Sequence, residues 1–258
     1  ESKCNHCGKC VNVCIHDARE FKDDTEVFFN NLKSGEKISL IVDQSFYVLY
    51  DDKAPAVLAW LKKQGVDKIY DVAYGAEISL WAHVKYLLDN YDVPSANKAF
   101  IANTCSSFIN EVELYNPSLR TKLIPVQSPV SCTAIYARKY LNDNNKLAYL
   151  SSCISMKDEF NHPVNKIDVA YNLTYEHISK YFETDKLPDD AAAADLTTDN
   201  IGKVLCGEGA FKDSVAVFFP SSERIVVMND SSEKIFNEVN FFMGAQYAEY
   251  QPFLAEVY

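Results

Sequence analysis

The chain alternates short apolar runs with longer stretches of helical period. From Lys37 onward the runs are ISLIV, KIYDVAYG, AFIANTC and LAYLSSC, followed by SVAVFF and RIVVM. Each is apolar nearly throughout and lacks the in-and-out alternation of a half-exposed strand, as expected where a strand is covered on both faces of a parallel sheet. Between the runs lie segments such as AEISLWAHVKYLLDNY, in which Ile78, Trp81, Val84 and Leu88 are spaced for one helical face. Ahead of them, DDTEVFFNNLKSG places Phe28, Phe29 and Leu32 together before Gly35 stops the helix. Strand and helix in alternation predict an α/β fold of parallel sheets joined by crossover helices. LPDDAAAADLTTDN breaks the pattern and predicts a surface loop, and no internal repeat is present.

Composition narrows the function. The 258 residues carry a formal net charge of −11 and their basic residues are dispersed, which argues against a nucleic-acid partner, because phosphate binding relies on clustered Lys and Arg. No apolar stretch approaches the length of a membrane span and no apolar signal segment precedes Cys4, so a cytoplasmic protein is expected. The chain opens at Glu1 without a methionine and closes on the apolar run PFLAEVY, so flanking segments are expected on both sides.

Of the eight cysteines, four are crowded into CNHCGKCVNVC: Cys4, Cys7, Cys10 and Cys14, spaced by two, two and three residues. That spacing is too tight for bridges and favours metal. It is the bacterial ferredoxin spacing, in which thiolates hold a [4Fe-4S] cluster and the fourth cysteine commonly serves a second cluster. Zinc is the competing reading, although tetrahedral thiolate sites usually separate their C-x2-C pairs by a longer loop. Ile15 stands where a proline usually follows, and a partner motif for Cys14 is expected upstream of Glu1.

Cys105, Cys132, Cys153 and Cys206 are scattered, and a lone cysteine is more often a small core hydrophobe than a reactive group. Cys105 and Cys153 stand apart because each ends a predicted strand, and open α/β sheets bind their ligands outside the carboxyl ends of their strands. Lys157, Asp158 and Glu159 read by default as solvated charges, and His6 and His16 as exposed side chains. His83, His162 and His177 form no metal spacing. Gly207 and Gly209 in CGEGAF suggest a tight turn and do not by themselves make a phosphate loop.

A ferredoxin motif running into DAREFKDDTEVFFNNLKSGEKISLIV, then WLKKQGVDKIYDVAYGAEISLW, ANTCSSFINEVELYNPSL, SPVSCTAIYARKYL, SSCISMKDEF and GEGAFKDSV, resembles in order the large subunit of [FeFe]-hydrogenases, with the sensory branch nearest. The resemblance implies residues 1–24 as a partial ferredoxin-like segment and residues 25–258 as a two-lobed H-cluster domain. It also implies an H-cluster, a cubane joined through a cysteine to a two-iron unit, set between the lobes. Cys105 in NTCSS matches the first ligand motif and Cys153 in SSCISMK the second, on opposite walls of one cleft. The cluster on Cys4, Cys7 and Cys10 would relay electrons from a ferredoxin-like donor or a fused redox or signalling domain, with H2 and protons as reactants.

The departures bear on activity. Thr104 stands at the position of the proton-relaying cysteine, and a hydroxyl is a poor relay at neutral pH. Ser106 and Ser152 replace two prolines. Met156 stands where a lysine would hold a cyanide of the two-iron unit, and a thioether cannot donate that bond. Lys157 follows one position later, so Thr104 and Lys157 are the candidate catalytic residues. The third motif, with two further ligands, is expected after Tyr258. Two readings follow: slow reversible H2 oxidation or H2 sensing, and a non-catalytic electron-transfer or docking module that keeps the fold.

Overall fold

The computed structural model describes residues 3–91, 100–163, 165, 167–205, 207, 209–219, 225–228 and 254–257. The chain enters through α1 (Lys9–Asn12) and α2 (Thr25–Lys33), then alternates: β1 (Ile38–Val42), α3 (Ser45–Tyr50), α4 (Ala54–Lys63), β2 (Ile69–Asp71), α5 (Ala73–Tyr91), β3 (Phe100–Ile101), α6 (Ser106–Tyr115), α7 (Pro129–Lys139), β4 (Lys146–Ser151), α8 (Met156–Asn161), β5 (Val169–Thr174), α9 (Tyr175–Thr184), α10 (Ala210–Ala216), β6 (Ile225–Met228) and β7 (Leu254–Val257).

Two parallel sheets result. The first has the order β2-β1-β4-β5 and the second β3-β7-β6. In the first, Ile41 pairs with Tyr70 on one side and Tyr149 on the other, and Leu150 pairs with Leu173. All five residues of β1 are buried, because both faces are covered. Leu40 and Val42 pack on one side with Phe28, Phe46, Val57 and Leu61. Ile41 points to the other, with Val130, Ala134, Tyr149 and Met156, as the period of two requires. A third cluster of Leu80, Val84, Ala102, Ile124, Phe211 and Val215 joins α5 and α10 to β3.

The order of the first sheet decides where a ligand fits. From β1 the chain crosses to β2 on one side, and later returns to β4 on the other. The loops after β1 and β4 therefore diverge and leave a crevice at their carboxyl ends. Gly75 seats α5 against the first turn of α7: a Cβ there would overlap Thr133 Oγ1 and the Pro129 carbonyl. This close approach brings the start of α7 to the crevice.

Three readings from the sequence need correction. SVAVFF is not a strand, because Phe211 and Val215, four apart, drive the segment into helix α10 with both side chains buried; short apolar runs do not distinguish the two by themselves. The buried face of α5 is Ala76, Leu80, His83, Val84 and Leu87, whereas Ile78, Trp81 and Leu88 are exposed. That face includes a small and a polar residue, and a search for large apolar side chains passes over it. Strand β5 was not anticipated, since Asn172 and Thr174 interrupt its apolar run although both are buried.

LPDDAAAADLTTDN is irregular, but it lies along the β2 edge, with Asp195 N–H on the Ile69 carbonyl (2.6 Å) and Asp71 N–H on that of Leu196 (2.9 Å). No helix among the described residues is long and apolar enough to cross a membrane.

Candidate cofactor site

The crevice holds a cavity of about 350 Å³. It is floored by the residues that follow β1, β3 and β4, and closed by Val130 of α7, Leu80 of α5 and Phe211 of α10. Cys105 and Cys153 line it together. They are 48 positions apart in sequence (153 − 105), and they come from the two different sheets. Cys105 follows β3 in extended conformation and caps α6. Cys153 follows β4, where Ser151 Oγ accepts its N–H (3.1 Å), Asn172 Nδ2 donates to its carbonyl (3.0 Å) and Ser155 Oγ lies 2.9 Å from its sulfur.

Burial pushes both thiols above their ordinary range, and Cys105 is raised further by the charges of Cys153 and Cys7. Among the described residues lining the cavity there is no Lys, Arg or His. Two thiolates here would lack a counter-charge, and a metal is the group that supplies one while deprotonating its ligands outright. Sulfur donors select iron–sulfur clusters, zinc or copper(I). The pair fits a cubane in donor type, lines one cavity and supplies two of the four thiolates such a cluster takes. Cys132 is buried, turns its sulfur to the Gln127 carbonyl (3.6 Å) and does not line the cavity. Cys206 lies outside the described residues.

Thr104 lines the cavity beside Cys105, and Met156 forms part of the opposite wall. Lys157 does not reach it. Successive residues of a helix point about 100° apart, so with Met156 turned inward Lys157 is half-exposed and pairs with Asp24 at 2.5 Å. Glu159 is not a solvated charge. It lines the cavity and accepts hydroxyl protons from Ser106 (2.7 Å), Ser131 (2.7 Å) and Ser128. Asp43, also at the rim, takes the Tyr149 hydroxyl at 2.6 Å and the Ser45 hydroxyl at 2.5 Å. No spacing in the sequence points to either carboxylate. Glu159 acquires its partners, and Asp43 its Tyr149 partner, only when segments far apart in the chain are folded together.

Cys4, Cys7 and Cys10 are exposed and Cys14 is partly covered. Among the described residues no group of three His, Cys, Asp or Glu stands in metal-binding geometry, so in this conformation the four sulfurs are not gathered. The motif bends at Gly8, whose φ of 77° favours glycine, and continues into α1, which has no buried residue. The backbone N–H groups of His16 and Ala18 lower the Cys14 thiol.

The segment is nonetheless seated on the large domain. His6 Nδ1 meets Asp158 Oδ2 at 2.5 Å, Asn110 Nδ2 donates to the same oxygen at 2.7 Å, and Asn5 Nδ2 reaches Glu111 at 2.7 Å. His6 and Asp158, expected at the surface in water, are partly buried partners. His83 is fully buried between the Ser79 carbonyl (2.8 Å) and the Asn103 N–H (3.2 Å), and burial pushes it down to about 4. It is neutral and structural. Gly209, left-handed at φ 76°, caps α10 and makes the turn expected of CGEGAF.

A doubly wound parallel α/β domain with two thiols lining one cavity at its switch point has the layout in which such sheets take their ligands, and the comparisons with known proteins narrow it. Residues 38–222 match the iron only hydrogenase large subunit, C-terminal domain, and the chain belongs to that family. Two solved variants of the [FeFe]-hydrogenase HydA1 from Chlamydomonas reinhardtii superpose with TM-scores of 0.69 and 0.70, at 12% identity, over 92% of this chain and 81% and 82% of theirs. A structure from a study of stepwise H-cluster assembly, HydA(deltaEFG), gives 0.69 at 12% identity, over 92% and 81%. At that identity the likeness is one of fold. No curated protein matches the chain.

Proposed function

We propose that the chain is an iron–sulfur redox protein of hydrogenase type that holds its cofactor through Cys105 and Cys153 and handles H2 slowly, as a weak enzyme or a sensor. The observation that carries this reading is the meeting of two thiols from separate sheets in one cavity at the switch point. An H-cluster bound there would supply the reversible interconversion of H2 with protons and electrons.

The chain's own residues account for the low rate. Cys105 and Cys153 bind through sulfur, and Leu80, Val130, Met156 and Phe211 exclude water from that wall. The residue beside Cys105 is Thr104, whose hydroxyl neither gives nor takes a proton readily near neutral pH, and a well-placed acid or base is worth roughly 100- to 10,000-fold. Met156 Sδ offers no donor, and Lys157 is turned away towards Asp24. Electrons would enter through a [4Fe-4S] cluster on Cys4, Cys7 and Cys10, whose segment rests on α6 and α8 through Asn5 and His6, from a ferredoxin-like donor or a fused redox or signalling domain in the cytoplasm.

The same lack of a proton carrier favours a second reading, an electron-transfer or docking module, and one experiment separates the two. The chain, extended by the residues that follow Tyr258 in its natural sequence, is loaded with iron and sulfide without oxygen and supplied with the two-iron unit. The hydrogenase reading expects infrared bands of bound CO and cyanide, weak H2 evolution, and a rise of at least about tenfold for Thr104→Cys. Absence of the bands from folded, iron-loaded protein leaves the electron-transfer module.

A further inference from the structure

We propose that Glu159 is a positioning residue that sets the separation of Cys105 and Cys153 by tying together the three elements around them. The inference rests on the proposed function only in taking these two cysteines as ligands of one group. Glu159 sits on α8, which begins three residues after Cys153. Its Oε2 receives the hydroxyl of Ser106, the residue next to Cys105 and the first of α6, at 2.7 Å. Its Oε1 receives the hydroxyls of Ser128, the N-cap of α7, and of Ser131 at 2.7 Å. One carboxylate thus joins the Cys153 side of the cavity to the Cys105 side and to the helix that roofs both.

The chemistry requires a carboxylate. Ser106 Oγ lies within reach of both Met156 Sδ (3.1 Å) and Glu159 Oε2 (2.7 Å), and a charged oxygen is by far the stronger acceptor. An ionised carboxylate only accepts, with room for three hydroxyls on two oxygens, whereas an amide would turn an NH2 towards one oxygen's partners. Ser131 is fully buried and Ser106 and Ser128 nearly so, so a hydroxyl displaced from Glu159 exchanges a charge-assisted hydrogen bond for a weaker partner, Met156 Sδ for Ser106 and each other for Ser128 and Ser131. What the residue offers is geometry.

The test uses the full chain carrying Cys4→Ser, Cys7→Ser, Cys10→Ser and Cys14→Ser, titrated with Co2+ under anaerobic conditions. Thiolate-to-cobalt absorption reports how many sulfurs bind, a signature that a change of overall stability does not move. The parent should show a band that roughly halves in Cys105→Ser and in Cys153→Ser and is lost when both substitutions are made. Glu159→Gln should weaken Co2+ binding about tenfold or more, the scale seen when groups that orient metal ligands are removed, and should roughly halve the band as one sulfur drops out. Should Glu159→Gln not fold, as judged by circular dichroism, Ser106→Ala carries the test with the same expectation. A parent band that persists with unchanged affinity and intensity in whichever of these variants folds overturns the proposal alone. A parent without any thiolate band overturns the shared-ligand reading and this proposal with it.

Discussion

The two groups of cysteines differ in how they are built. Cys4, Cys7, Cys10 and Cys14 lie within eleven residues, on an exposed turn and a four-residue helix with nothing buried. Cys105 and Cys153 are brought together by two sheets, and their thiols are raised by burial. The first group is specified by spacing, so any metal it holds must itself gather sulfurs that stand on an exposed turn. The second is specified by the fold, and its two thiols line one cavity before anything binds. Local sites of the first kind gain their order from the metal, whereas sites of the second kind rely on a folded frame that tolerates the cost of burying thiols.

The largest expected effect is independence of the two sites. In chains reconstituted with iron, Cys105→Ser or Cys153→Ser should abolish the cavity-bound iron entirely and leave the iron on the first group, while Cys7→Ser should do the reverse. Iron analysis with electron paramagnetic resonance reads both. Loss of all iron from either variant would mean a single shared cluster and would erase the distinction.

Thiol reactivity in the metal-free chain sharpens the contrast at smaller scale. Only the thiolate is a nucleophile. At pH 7 to 8 Cys14, whose thiol is lowered by backbone N–H groups, should be alkylated faster than an ordinary cysteine, and Cys105 and Cys153, raised by burial, more slowly. The rates should differ by roughly tenfold or more and converge only as the pH rises past the ordinary thiol range. Peptide mapping assigns each site, and equal rates at neutral pH would remove the electrostatic difference.

A third prediction concerns the joint between the regions. Burial would raise the Asp23 carboxyl, but hydrogen bonds from Thr174, His177 and the Thr25 N–H outweigh it and hold it below its ordinary value. His177 Nδ1 lies 2.9 Å away and stacks on Phe21 at 4.8 Å. A depressed carboxylate stabilises the fold above its unfolded pKa of 3.8, and that contribution is lost as the pH falls through the lower folded value. Asp23→Asn should therefore destabilise by about 1–3 kcal/mol at neutral pH, with the difference from the parent shrinking below pH 4. Denaturant titration at both pH values checks it, and a pH-independent difference would remove the ionic part.

Much of this was legible in the sequence. ISLIV and LAYLSSC announced the central strands, and the strand-end rule singled out Cys105 and Cys153. The parts that were not legible share a cause. Glu159 and Asp158 look like solvated acids because their partners, Ser106, Ser128 and Ser131 for one and His6 and Asn110 for the other, lie between 28 and 152 residues away. The face of α5 was misplaced because it packs through Gly75, Ala76 and His83 as much as through large side chains. β5 was missed because Asn172 and Thr174 are buried for their hydrogen bonds to the Cys153 loop and to Asp23 and Asp24. Spacing records local chemistry well, and it does not record which polar side chains the fold will enclose.

The most direct measurement is the iron content and Mössbauer spectrum of the full chain carrying Cys4→Ser, Cys7→Ser, Cys10→Ser and Cys14→Ser, reconstituted without oxygen. The account predicts thiolate-bound iron that remains in this chain and disappears when Cys105→Ser or Cys153→Ser is added. Folded protein that binds no iron, or binds iron unaffected by either substitution, would contradict it.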